Sequence, residues 1–216
     1  MNTNLSQELL LRRQLYLDGL RYAINMASFS YSRLEKLLVS VSDIRKPNQD
    51  EFISAFLDAW LIVDSIFRYR TIVISTPGIK QNDPQIKNFL EKTKMLKASR
   101  NYMQHSNSWN HFEELKNNSR PFWGILSWVR TYSEKSARLC SIFAGSLPYT
   151  NSQIPSVNPL GKTVKVPIDL VFLYVASYQI CLSDIIKDTV ENYRNILKQN
   201  GTGSISDVFI SVDLTT

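Results

Sequence analysis

The strongest constraint on this chain is an apolar stripe near its start that repeats with the period of an α-helix. Between residues 5 and 41, apolar side chains recur at steps of three, four or seven residues. This spacing places them on one side of a helix, so the sequence predicts a long amphipathic helix here. The stripe consists of Leu9, Tyr16, Leu20, Ala23, Ala27, Tyr31, Leu34, Leu38 and Val41.

Two further helices are predicted before the chain changes character at His105. The second has Asp50 as its expected N-cap, and residues 75–78, with a proline and a glycine, end it. A third helix is predicted to begin at Asp83 and Pro84, because Asp is a good cap and Pro suits the first helical position. This third helix is predicted to run to His105. The apolar stripe of the second helix consists of Ile53, Phe56, Leu57, Trp60 and Phe67.

The region after the third helix is richer in β-forming residues. Residues 122–132 and 138–143 are short segments rich in aromatic and β-branched side chains, and residues 162–166 resemble them. Such segments predict strands of a small antiparallel insertion. We place this β-rich insertion at about residues 120–166, between the third and fourth helices.

The end of the chain is predicted to return to helix. Apolar residues recover helical spacing from residue 167 to about residue 198, and Asn200 with Gly201 is expected to end this fourth helix. Residues 205–214 alternate apolar and polar side chains and predict a last edge strand. The predicted fold is mainly α, a four-helix set that carries a small antiparallel insertion.

Composition agrees with one helical domain over residues 1–216. The chain has 7 glycines and 8 prolines among its 216 residues, and such a shortage of turn residues argues against many short strands. Hydrophobic residues make up 44% of the chain, which is enough for one sizeable core.

Several classes of protein are disfavoured by what the sequence lacks. No run of 18 or more residues is apolar throughout, so no membrane partner is predicted. The first residues do not form a signal peptide, and we expect a cytoplasmic protein. Cys140 and Cys181 lie far apart without a zinc-binding pattern, and no glycine-rich nucleotide loop is present. We therefore predict no metal and no cofactor.

Basic residues are in excess, with a formal net charge of +6, and many of them lie in one stretch. By itself such a stretch is typical of a solvated helix face. Because Arg100 and His105, which can bind phosphate and transfer a proton, lie at and just beyond its end, this stretch predicts an RNA-binding surface, for which Lys92, Lys94 and Lys97 are the candidates. Between residues 80 and 100, two acids are outnumbered by six basic residues: Lys80, Lys87, Lys92, Lys94, Lys97 and Arg100.

Three residues with the chemistry for phosphodiester cleavage lie together at the predicted end of the third helix. They are Arg100, Asn101 and His105. Arginine presents a fixed fork of donors to phosphate oxygens, asparagine adds a neutral donor, and histidine can transfer a proton near neutral pH. RNA cleavage needs little more, because the 2′-hydroxyl nucleophile is already part of the substrate. A symmetric dimer would place two copies of the motif on the walls of one cleft.

This motif, on the third of four helices, resembles that of the HEPN superfamily. Its members are small helical proteins with an arginine, a polar residue directly after it, and a histidine; here the form is R-N-x-x-x-H. The resemblance implies a HEPN-like four-helix bundle, usually a homodimer. In many members it implies a metal-independent endoribonuclease of toxin–antitoxin, phage-defence or RNA-processing systems, so an antitoxin or regulatory protein is a further expected partner. Arg100, Asn101 and His105 would be catalytic.

Other interpretations stay open. The superfamily also contains members without catalysis, so this chain can be a non-catalytic module that binds RNA, a nucleotide or a protein. A structural four-helix protein in which the motif is accidental is a further alternative.

The dimer is expected to bury the aromatic-rich second helix or the face of the last helix that carries Tyr174 and Tyr178.

Two residues outside the motif are also candidates for the site. Asp64 is an acid on the apolar stripe of the second helix, and a buried carboxylate must be paired. Its partner is either Arg68, one turn on, or the motif itself, where Asp64 would hold Arg100 or His105 in place. Trp109 is a candidate for stacking on an exposed base, with a surface role as the alternative.

Overall fold

The computed structural model describes residues 7–44, 48–104, 121–133, 136–145 and 167–200. Most of the described residues lie in α-helices, and four strands form one antiparallel sheet. The prediction of a mainly helical chain with a small antiparallel sheet is therefore confirmed. Within these ranges no helix has the length and apolar character to cross a membrane. The elements are α1 (Gln7–Asp43), α2 (Gln49–Ser75), α3 (Pro84–Lys92), α4 (Lys94–Gln104), β1 (Ile125–Ser133), β2 (Ser136–Phe143), β3 (Ile168–Val175), β4 (Tyr178–Cys181) and α5 (Leu182–Asn200).

The first two helices form a long antiparallel pair. Gly19 of α1 lies against Ile72 near one end of the pair, and Arg33 pairs with Asp58 nearer the other end. The stripe predicted for α1 faces the core, because most of its members are buried. The core continues into the other helices and the sheet, and its fully buried members include Leu20, Leu34, Leu38, Ile62, Ile66, Leu96, Trp128, Leu173 and Ile196.

The start of α2 differs from the prediction. The N-cap is Asn48, whose side-chain oxygen accepts a hydrogen bond from the Glu51 backbone N–H at 2.8 Å, while the Glu51 carboxylate accepts one from the Asn48 N–H at 2.8 Å. Asp50, the predicted cap, lies in the first turn. Asn48 prevails because a Glu three residues later completes a reciprocal pair of bonds, whereas Ile53 stands three residues after Asp50.

Replacing Asn48 with alanine is therefore expected to lower the free energy of unfolding by about 1 kcal/mol, since the cap bond is lost. Asp50→Ala removes an acid of the first turn but leaves the cap intact, so its effect is expected to be smaller. Urea unfolding of the two variants beside the wild type measures both effects. A larger loss for Asp50→Ala would reinstate Asp50 as the cap.

The third predicted helix is divided into α3 and α4 at Thr93. Its predicted start is confirmed: the Asp83 side chain accepts hydrogen bonds from the N–H groups of Gln85 and Ile86, and Pro84 follows it directly. At the break, the Thr93 hydroxyl donates to the Phe89 carbonyl at 2.7 Å. We treat α3 and α4 as two parts of one helical segment.

The sheet has the strand order β2-β1-β3-β4, with antiparallel neighbours throughout. The first two predicted strands are confirmed as the hairpin β1–β2. The helix predicted from residue 167 is wrong up to residue 181, because this stretch forms β3 and β4 and only α5 is helical. The sheet thus extends beyond the predicted insertion limit of about residue 166. The strands predicted at 162–166 and 205–214 lie outside the described residues.

The error at β3 has a physical cause. β3 lies between β1 and β4 and is largely buried, so its sequence is an almost continuous apolar run. Hydrophobic periodicity alone cannot distinguish such a strand from a buried helix. The β-branched and aromatic residues of this run favour a strand. They could have indicated β3, but the helical spacing of the apolar residues was given more weight.

The sheet supports the end of α4. Tyr102 of α4 packs against Val175 and Ala176 at the turn between β3 and β4, and all three are buried. Tyr174 and Tyr178 lie on strands and not on the last helix, and Tyr174 is only 2% exposed. The expectation that Tyr174 contributes to a dimer surface is therefore wrong.

Candidate active site

Arg100 lies on α4 with its guanidinium held from three sides. Its Nε donates to Asp64 Oδ1 at 2.7 Å, and its Nη1 donates to Gln104 Oε1 at 3.2 Å. The ring of Phe67 lies beneath the guanidinium, 4.9 Å from the ring centroid to Cζ. Because two hydrogen bonds and a cation–π contact restrict it, this side chain has a defined orientation while a quarter of it, 25%, stays exposed.

Asp64 joins α2 to α4 by binding two arginines at once. Its Oδ2 accepts from Arg68 Nε at 2.6 Å and its Oδ1 from Arg100 Nε at 2.7 Å. The two partners that the sequence offered as alternatives are thus both present. The Asp64 side chain is 33% exposed, so it lies at the margin of the core.

The protonation state of Asp64 follows from these contacts. Partial burial acts to raise the pKa of this carboxyl, but the hydrogen bonds and charges of Arg68 and Arg100 outweigh it and hold the pKa below its usual range. Asp64 is therefore ionised at neutral pH, and it remains able to accept from both arginines.

Of the other two motif residues, the structure describes Asn101, which lies in the last turn of α4. Asn101 is exposed, and its side chain is one position, about 100°, around the helix from Arg100. α4 ends at Gln104. His105 directly follows in the sequence but lies outside the described residues, as does Trp109.

The three candidate lysines differ in their surroundings. Lys92 Nζ lies 2.9 Å from Asp188 Oδ2 of α5, and this hydrogen bond raises the pKa of Lys92. Its charge is compensated, so Lys92 ties α3 to α5. Lys94 and Lys97 are exposed on α4, and Lys97 lies one turn before Arg100. These two remain as candidates for binding an anionic chain.

Sequence reasoning missed two residues of this site. Phe67 was counted only among the apolar positions of α2, and Gln104 was not considered. The spacing offered one signal, because Gln104 is four residues after Arg100 and such pairs meet on a helix surface. No equivalent rule predicts the contact between Phe67 and Arg100, because these residues lie on different helices.

Chemically, the site offers an oriented, partly exposed guanidinium that can donate to an anion, and exposed polar and basic side chains on the same helix. In the described ranges no three His, Cys, Asp or Glu side chains cluster as they would to hold a metal ion. No family model, curated protein or solved structure matches this chain. The interpretation of the site therefore depends on its geometry and on the motif.

Proposed function

We propose that the protein is an endoribonuclease of the HEPN type, which cleaves RNA without a metal ion. The observation that carries the proposal is the fixed orientation of Arg100, held by Asp64, Gln104 and Phe67 at the end of the helix that leads into His105. A lone arginine that is only part of a surface ion pair needs no such set of contacts. The helices agree with a four-helix bundle when α3 and α4 count as one.

The proposed reaction is a transesterification within the RNA. The 2′-oxygen attacks the adjacent phosphorus, its proton passes to a base, and the bond from phosphorus to the 5′-oxygen breaks as that oxygen takes up a proton. His105 serves as the base or the acid. Arg100 donates to the phosphate oxygens as negative charge accumulates on them, and Asn101 orients the phosphate or the histidine. Asp64 positions Arg100 without touching the RNA.

We further propose a homodimer with the two motifs at a shared cleft. Support comes from large apolar side chains that are exposed on α1 and on α2, since soluble proteins rarely leave much such surface uncovered. The second helix, one of the two interfaces expected from the sequence, thus stays a candidate together with α1, whereas the tyrosine face does not. The exposed side chains include Leu11, Leu15, Tyr22, Met26, Phe29 and Leu57, of which Leu15, Phe29 and Leu57 are each 64% exposed.

The test is RNA digestion by the wild type, His105→Ala and His111→Ala. His111 is the other histidine of the chain and provides a matched control. We expect His105→Ala to cleave at least about 100-fold more slowly, because general acid–base catalysis is lost, and His111→Ala to cleave like the wild type. The products should carry 2′,3′-cyclic phosphate and 5′-hydroxyl ends, and EDTA should not inhibit.

Two outcomes would contradict the proposal: RNA left intact by the wild type, or equal cleavage by wild type and His105→Ala.

The exposed pair Lys94 and Lys97 also fits a module that only binds RNA. That alternative is favoured if RNA stays intact and its binding survives His105→Ala but is lost in the double variant Lys94→Glu, Lys97→Glu. Phosphate binding draws little on a neutral imidazole but depends on the cations.

A further inference from the structure

Arg68 shares the carboxylate that holds Arg100. It lies one turn after Asp64 on α2, and the only hydrogen bond from its side chain to a described residue joins Nε to Asp64 Oδ2 at 2.6 Å. The side chain is 63% exposed. Within the described ranges, no residue accepts a hydrogen bond from the terminal nitrogens of Arg68, while its Nε is fixed.

The ion pair between Arg33 of α1 and Asp58 of α2 shows a different use of an arginine. Arg33 donates to both oxygens of Asp58, through Nε at 3.2 Å and Nη2 at 2.8 Å. This one guanidinium satisfies a carboxylate that is only 3% exposed. Such a closed, two-bond pair has a structural role.

Asp64, in contrast to Asp58, is bound by two arginines. Each of its oxygens takes one Nε, so a single negative charge lies between two positive ones and the trio has a net charge of +1. The carboxylate holds Arg68 and Arg100 next to each other in spite of their repulsion. Nη2 of Arg100 donates to no residue that the structure describes, in common with the terminal nitrogens of Arg68. Non-bridging phosphate oxygens are well suited to such paired donors.

We propose that Arg68 is a second phosphate-binding residue of this site and contacts the RNA backbone beside Arg100. This inference builds on the proposed function, because it takes RNA as the ligand. An exposed pair four residues apart on one helix contributes little to stability, so stability alone does not account for Arg68. A role in binding phosphate does account for Arg68, because Asp64 holds it next to Arg100.

The experiment measures binding of an RNA that cannot be cleaved. A fluorescent 2′-O-methyl oligoribonucleotide lacks the nucleophile, and its affinity is measured by anisotropy at several salt concentrations. The variants are Arg68→Gln, Arg68→Lys and Arg12→Gln. Arg12 is exposed on α1, so its replacement removes the same charge away from the site and serves as the matched control.

Arg68→Gln is expected to weaken binding and to reduce the slope of log affinity against log salt by about 0.7, the value for one phosphate contact with a single strand. Arg68→Lys should keep the wild-type slope, since it keeps the charge. Arg12→Gln should also keep it. If Arg68 only stabilises α2, thermal unfolding will shift without a change of slope.

Equal slopes for Arg68→Gln and Arg12→Gln, or no binding of the oligonucleotide by the wild type, would overturn the inference. Its failure is distinguishable from failure of the proposed function, because binding of this probe does not require cleavage. RNA cleavage that depends on His105, together with an unchanged slope in Arg68→Gln, rejects the role of Arg68 alone. A reduced slope without any cleavage supports Arg68 and rejects catalysis.

Discussion

Arg100→Ala is expected to slow RNA cleavage by about 100-fold or more, which is typical of losing a donor to the developing phosphate charge. The protein should stay folded, because Asp64 keeps its hydrogen bond to Arg68 and no carboxylate is left unpaired. Arg100→Lys should recover little activity. Lysine retains the charge but lacks the fork that reaches Asp64 and Gln104 at the same time.

Single-turnover cleavage with excess enzyme is the suitable measurement, since it reports the chemical step apart from product release. Thermal unfolding of the same preparations verifies the fold, and Arg12→Ala controls for the lost charge. Cleavage by Arg100→Ala at the wild-type rate would show that the guanidinium over Phe67 is structural. The proposed site would then be wrong even if the protein cuts RNA.

The largest effect on stability is expected for Gly124→Ala. Gly124 precedes β1 with a φ of +97°, and a Cβ there would lie 2.4 Å from the carbonyl oxygen of Tyr174 on β3. That contact is with backbone, so the two strands would have to separate. We expect a loss of about 3 kcal/mol or more in the free energy of unfolding, from conformational strain together with overpacking.

Gly78→Ala is the matched control for this change. Gly78 also has a positive φ, +84°, but its Cβ would lie 3.9 Å from Arg13 Cζ, an ordinary contact. Only the backbone cost of about 1–2 kcal/mol is expected there. Urea unfolding of both variants separates the two contributions. Equal losses would mean that the strands accommodate the methyl group without cost.

The extent to which the sequence predicted this fold depended on how local the signals were. The stripe of α1 and the start of α3 at Asp83 and Pro84 are local patterns, and both are confirmed. The strands β1 and β2 were also predicted, as parts of a small antiparallel insertion. β3 was missed because side chains on both of its faces are buried, which removes the alternation by which a strand is recognised.

In the candidate site too, contacts between residues close in sequence were predicted, and contacts between distant residues were not. Helical spacing brought Arg68 to Asp64 as one possible partner, and this pair exists. No spacing rule could show that the same carboxylate also binds Arg100, 36 positions further on, or that Lys92 meets Asp188 on the last helix. Such contacts depend on how the helices pack, which one sequence does not reveal. The assignment of catalysis to Arg100, Asn101 and His105 stays a prediction.

The packing of Tyr102 on Val175 and Ala176 bears on when the site forms as the chain is made. The helix that carries Arg100 is synthesised by residue 104, but the turn that supports its end comes some seventy residues later. β1 must also wait for β3, since Ile125 pairs with Tyr174. Non-local contacts of this kind form late. A growing chain on the ribosome therefore lacks the completed site until most of it has been translated, and the proposed cleavage of RNA is expected to begin only then.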